Sequence, residues 1–204
     1  MLLTARDGKI PAGVGSSWVS DPIEVENLRF DRASHFRTST CKDSSNKKSG
    51  TSDRTWSTPP TSFIKLNVDA AWKFSPYSSG FSAIIRDNQG SLKVVQISSI
   101  DAVYPPPLAE AFVVLQGLRL TSKMNFKKII VKSDCSGAID LFLKILISDS
   151  SVRVWLEEIW EISIVFYPIN FAYIPRNINK LADIVAKRTR ILGINDVWMD
   201  SYSM

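Results

Sequence analysis

The chain holds a single histidine, His35, and two cysteines, Cys41 and Cys135, among 204 residues. Neither cysteine has a Cys or His neighbour at metal-ligand spacing, which argues against a thiolate or imidazole zinc centre. Two cysteines so far apart make no disulfide framework either, so a reducing compartment is expected. Long apolar runs are missing as well. The longest, Leu141 to Ile147, is interrupted by Lys144, and charge at Arg6 and Asp7 comes too early for a signal-peptide core. These absences lead us to expect a soluble intracellular protein with no membrane span. Nor is there a strong excess of one charge. The 25 Lys+Arg against 20 Asp+Glu leave +5, too little by itself to demonstrate a polyanion partner.

Pattern is lacking over the first part of the chain. Residues 34–57 read SHFRTSTCKDSSNKKSGTSDRTWS, with neither the two-residue nor the 3.6-residue apolar period needed to bury a face. Residues 1–58 are therefore expected to be a disordered or weakly structured extension, residues 59–197 one folded domain, and residues 198–204 a tail. Thr58-Pro59-Pro60 marks the start of the folded part.

From there the periodicity becomes readable. Ile64, Leu66 and Val68 alternate with Lys65, Asn67 and Asp69, a strand with one apolar and one polar face that ends on an acid. Phe81 to Arg86 and Ser91 to Ile100 are two further strands, joined through a turn at Asp87-Asn88-Gln89-Gly90. After three prolines, Leu108, Ala111, Leu115 and Leu118 recur at helical spacing, which places Glu110 in a first helical turn. Lys127 to Ser133 is short and β-branched, a buried strand with Asp134 at its C-terminal end. Helices are expected over Ser136–Ile147 and Ser151–Ser163, and a strand over Phe166–Ile174. A last helix should be capped by Asn179 and stopped by Gly193, with Leu181, Ile184, Val185, the stem of Arg188 and Leu192 as its buried stripe. Asp183 falls in its first turns, near the positive end of the helix dipole. Trp72, Trp155 and Trp160 are read as packing residues, and Lys127, Lys128 and Lys132 as a solvated strand edge.

Four acids thus stand at element ends, where α/β sheets gather their sites. With the segments KLNVDAAW (65–72), AEAFVVLQGLRL (109–120), VKSDCSGAID (131–140) and IPRNINKLADIVAK (174–187) in this order, the chain resembles the type 1 ribonuclease H family, in particular its plant, retroelement-derived reverse-transcriptase-like branch. The resemblance implies an α/β ribonuclease H-like fold: a mixed five-stranded sheet, its first three strands antiparallel, flanked by helices. It also implies a divalent-metal-dependent endonuclease that cuts the RNA strand of RNA/DNA hybrids. Asp69 would bridge two Mg²⁺ (or Mn²⁺) ions, Glu110 and Asp134 would bind one of them, and Asp183 would hold the other. Hard cations prefer carboxylate oxygens, and two of them roughly 3.5–4 Å apart activate a water and neutralise a leaving 3′ oxygen.

Two positions depart from the family pattern. Its members usually carry a histidine ten residues before the last acid, where this chain has Tyr173, a phenol ill suited to moving protons at neutral pH. Where bacterial relatives place asparagines that feel 2′-hydroxyls, Tyr104-Pro105-Pro106-Pro107 offers no side-chain amide. These departures leave open a different class of function, a domesticated retroelement module that binds nucleic acid or a protein without catalysis. A four-acid 3′ exonuclease is disfavoured, because Asp69-Ala70-Ala71 lacks the Asp-x-Glu pair its first strand would carry.

Overall fold

The computed structural model describes residues 55–74, 77–143 and 150–200. The expected disordered extension lies almost wholly outside these residues, as do the end of the helix expected to reach Ile147 and the last residues of the tail. The elements are β1 (Ile64–Phe74), β2 (Tyr77–Arg86), β3 (Leu92–Ile100), α1 (Pro106–Lys123), β4 (Ile129–Ser133), α2 (Ser136–Leu143), α3 (Ser150–Ser163), β5 (Ile169–Tyr173), α4 (Lys180–Leu192) and β6 (Asp196–Met199). Among the described residues no helix is long and apolar enough to cross a membrane.

The strands form one mixed sheet in the order β5-β4-β1-β2-β3-β6. β1, β2 and β3 pair antiparallel, while β4 lies parallel to both β1 and β5. This is the ribonuclease H-like arrangement implied by the sequence, with one strand more than the five expected. β6 pairs antiparallel with β3, Val95 opposite Trp198, and runs across residue 197, where the sequence reading ends the domain. Because β4 sits between β1 and β5, Lys132 does not stand on a sheet edge, which corrects the expectation for that residue, while Lys127 and Lys128 precede the strand and are exposed.

Alternation along β1 sorts its residues to two covered faces, so the expected half-solvated strand is buried on both sides from Ile64 to Asp69. Ile64, Leu66 and Val68 join Phe81, Ile85 and Val131 beneath α1, α2 and α3, a large core completed by Leu118, Phe142, Leu156 and Ile159. On the other face Ile84, Val95 and Ile97 form a smaller cluster with Ala182 and Val185 of α4. The polar residues of β1 on that face are buried as well and must find partners. Asn67 does so through a chain of amides: its Nδ2 donates to Asn179 Oδ1 (3.0 Å), and Asn179 Nδ2 donates to the carbonyl of Val68 (2.7 Å). Trp56 Nε1 donates to Asn67 Oδ1 (3.1 Å), and the Arg86 guanidinium stacks over the Trp56 ring at 3.8 Å. Asn179 therefore stands at the start of α4 without capping it, contrary to expectation, because its amide is spent on β1.

The packing of α4 differs from the expected stripe in the same way. Ala182, Asp183, Ala186 and Thr189 are buried, whereas Leu181, Ile184 and Leu192 are exposed. Small residues win this face because the helix backbone lies almost on β2. A Cβ at Gly80 would come within 2.3 Å of the Arg190 nitrogen and 2.4 Å of the Ala186 carbonyl. Ser82 Oγ donates to the Ala182 carbonyl (2.8 Å), fixing the helix along the strand. Gly193 ends α4 as expected, with φ 64° and its N–H donating to Thr189 O.

Candidate active site

Asp69 leaves β1 where the strand begins to emerge from the core. α1 starts at Pro106 behind Pro105, so Glu110 lies in its second turn rather than the first. Asp134 follows directly on β4, and Asp183 stands in the first turn of α4. The structure brings three of them together: Asp69, Glu110 and Asp134 each offer a carboxylate oxygen, all within 4.8 Å of one another. Asp183 is outside that trio but joined to it by Arg176, whose Nε lies 3.4 Å from Asp134 Oδ2 and 3.2 Å from Asp183 Oδ1. Lys187, one turn further along α4, donates to Asp183 Oδ2 at 2.6 Å.

Glu110 is held from both sides. The Ala70 N–H donates to its Oε1 (3.1 Å) and the Ser133 hydroxyl to its Oε2 (2.8 Å), while Ser133 Oγ accepts from the Cys135 N–H (3.0 Å). These bonds fix the carboxyl across β1 and β4. Even so, burial pushes Glu110 up to about 7, with Asp134 adding to the rise against the lowering by Ser133 and Ala70. Asp69 is pushed further, to about 9, first by burial and then by the charges of Glu110 and Asp134. Its Oδ2 is buried with no hydrogen-bond partner. A buried carboxylate oxygen facing two further carboxyls fits a hard cation, so the donor set suits Mg²⁺ or Mn²⁺.

Asp69, Glu110 and Asp134 line a cleft of about 640 Å³ together with Arg176, Lys187, Arg190 and Trp72. Acids and basic side chains in one cleft can hold a phosphodiester near bound cations. Tyr173 ends β5, its backbone paired with Ser133, but its side chain is 50% exposed and does not line the cleft. Sequence reasoning missed Arg176, Lys187 and Ser133, although the first two lie within the segment IPRNINKLADIVAK. Trp155 and Trp160 pack against the core as expected, whereas Trp72 is 41% exposed, a correction to its reading as a packing residue.

The raised acids make stability without metal depend on pH. Asp69 and Glu110 titrate higher folded than unfolded, so their protonated forms favour the folded state. That contribution is complete below the unfolded values near 4 and is lost as pH rises through about 7 and then about 9. Asp87, held low by the Gln89 and Ser91 N–H groups and by Lys93, works in the opposite direction but only at more acid pH. In chelator, the melting temperature should therefore fall from pH 5 to pH 8. A flat or rising profile would contradict the crowding of these carboxyls.

Fold and cleft together define a ribonuclease H-like α/β domain with a buried acidic centre. The chain belongs to the reverse transcriptase-like family, which it matches over residues 67–189. Among solved structures it is similar to ribonuclease H1 of the archaeon Halobacterium salinarum, at 16% identity and TM-score 0.57, over 62% of this chain and 96% of that one. It is similar too to the N-terminal ribonuclease H domain of a Mycobacterium tuberculosis protein, at 17% identity and TM-score 0.58, over 64% and 95%. A third is the compost-derived LC11 ribonuclease H1 in complex with an RNA/DNA hybrid, at 17% identity and TM-score 0.57, over 63% and 97%. No curated protein sequence matches the chain.

Proposed function

We propose that the chain is a divalent-metal-dependent endonuclease that hydrolyses the RNA strand of RNA/DNA hybrids, with Asp69, Glu110, Asp134 and Asp183 as its metal-holding acids. The observation that carries this reading is the meeting of Asp69, Glu110 and Asp134 from three separate elements, with Asp69 Oδ2 buried and unpartnered. Crowding three carboxyls together costs folding free energy, which protonation offsets without metal and which a cation would offset while leaving all three charged. Two Mg²⁺ or Mn²⁺ ions in that cage would supply a nucleophilic water and charge neutralisation at the leaving 3′ oxygen. The chain's own residues do the positioning. Ser133 and the Ala70 N–H lock Glu110, and Lys187 and Arg176 hold Asp183 at the margin. Arg190 and Lys187, which line the cleft, would meet the phosphate backbone. The hybrid bound by the LC11 structural neighbour is the same class of ligand.

The second reading is a retroelement-derived module that binds nucleic acid, or a protein partner, without cutting. It is favoured by Tyr173 in place of the family histidine and by the two cations already neutralising Asp183. Incubating the purified chain with labelled RNA/DNA hybrid, duplex RNA and single strands, with Mg²⁺ or Mn²⁺ and with chelator, separates the two. Metal-dependent cleavage confined to the RNA of the hybrid is the expected result. Hybrid binding with a steep salt dependence and no cleavage in either metal would transfer the assignment to the binding module.

A further inference from the structure

Beyond Asp69, β1 runs on past the core as Ala70-Ala71-Trp72-Lys73-Phe74. Strand alternation sets Trp72 and Phe74 on one face, and the antiparallel register places Tyr77 of β2 directly opposite Phe74. The three rings adjoin one another edge to face, Trp72 to Phe74 at 4.9 Å and 67°, Phe74 to Tyr77 at 6.5 Å and 86°. This geometry turns ring surface outward instead of closing it in a stack. Phe74 is 61% and Tyr77 66% exposed, so the row gives the core little in return for the apolar surface it shows to water.

The row has a direction. Its first member, Trp72, lines the same cleft as Asp69, Glu110 and Asp134, and the other two lead away from it. Lys73, between them in sequence, is exposed. Aromatic faces continuous with a cleft that Arg176, Lys187 and Arg190 help to line suit a polyanion that also carries flat apolar rings. Inside a duplex each base is covered by its neighbours and has no face to give. An unpaired nucleotide has one, and stacking on aromatic side chains is how single strands are held irrespective of sequence.

We infer that Trp72, Phe74 and Tyr77 form a stacking platform for unpaired nucleotides that continue out of the active-site cleft, so that the preferred ligand is a hybrid joined to a single-stranded segment. The inference rests on the ribonuclease reading for what occupies the cleft and adds which hybrids the chain selects. Nothing in the acid cluster itself depends on these rings.

The test compares a blunt RNA/DNA hybrid with the same hybrid carrying a single-stranded DNA overhang at one end or the other, by fluorescence anisotropy of the full chain in Ca²⁺, which takes carboxylate oxygens like Mg²⁺. One overhang probe should bind about tenfold more tightly than the blunt hybrid, in keeping with stacking of one base. In Phe74→Leu/Tyr77→Leu the ratio should fall to near one, because leucine keeps the apolar surface and removes the π-face. Tyr77→Phe should preserve the preference. Equal affinity of the wild type for all probes, or a preference that survives in the leucine variant, overturns the platform and leaves the ribonuclease reading standing if the hybrid is still cut. A wild-type chain that binds no nucleic acid brings down both. Self-association of the full chain that disappears in the leucine variant would mean that the rings meet a second copy, which also overturns the inference.

Discussion

Asp69→Asn abolishes hybrid cleavage, lowering the rate by at least roughly a thousandfold, and at the same time raises the melting temperature of the metal-free protein. The two effects share one cause. Asp69 is buried and lies against both of the others, so its charge is costly without a cation and indispensable with one. An amide of the same shape relieves the repulsion and cannot complete the cage, a trade of activity for stability found where sites store unfavourable charge. The gain should be roughly 3–6 °C in chelator at pH 8, on the scale of 1–2 kcal/mol for a domain of this size. Mg²⁺, which should raise the melting temperature of the wild type through preferential binding to the folded state, should do so little for the variant. Paired measurements of cleavage and thermal unfolding test both halves. Retained cleavage, or a variant less stable than wild type without metal, would remove Asp69 from the centre of the site.

Gly80→Ala lowers stability by about 3 kcal/mol, at the upper end of overpacking costs, and the melting temperature by about 10 °C. The added methyl meets backbone atoms of Ala186 and Arg190, which cannot rotate away as a side-chain tip could. The helix must lift, and with it Asp183 and Lys187. Thermal unfolding reads the first consequence, and a loss of cleavage beyond the unfolded fraction reads the second. The comparison is Gly117→Ala, whose methyl would meet the tip of Leu66, a side chain able to shift. If the two variants lost equal stability, the close approach of α4 to β2 would not be the constraint described.

Much of this architecture can be read from the sequence because burial leaves periodic traces. The alternation of Ile64, Leu66 and Val68 and the helical spacing of Ala111, Leu115 and Leu118 come through into β1 and α1. Asp69 and Asp134 are legible because an apolar run stops at each, whereas Glu110 and Asp183 lie within helical repeats and are singled out by the family segments alone. β6 left no trace. All four of its residues are exposed, and its place is fixed by backbone pairing with β3, which imposes no side-chain pattern. On α4 the most apolar stripe was the wrong guide, because the helix approaches the sheet too closely for Leu181 or Ile184 and admits alanines instead. Asn179 misled in a similar way, its amide being claimed by a strand 111 residues earlier. Arg176 is invisible as a site residue until the fold brings it between Asp134 and Asp183, and the buried polar side of β1 until α4 and Trp56 cover it.

The unequal cores on the two faces of the sheet also imply unequal breathing. One face is sealed by Leu118, Phe142, Leu156 and Ile159, the other by a smaller cluster with Ala182 and Val185 and by a hydrogen-bonded pair of asparagines. Native chains open in cooperative units whose cost follows the apolar area each unit hides, so α4 should detach at a lower cost than the layer of α1, α2 and α3 on the opposite face. When it detaches, Asp183 and Lys187 leave while Asp69, Glu110 and Asp134 stay behind on the sturdier half. A ligand that spans Asp134 and Asp183 then acts as a clasp, closing the loose half of the molecule onto the firm one.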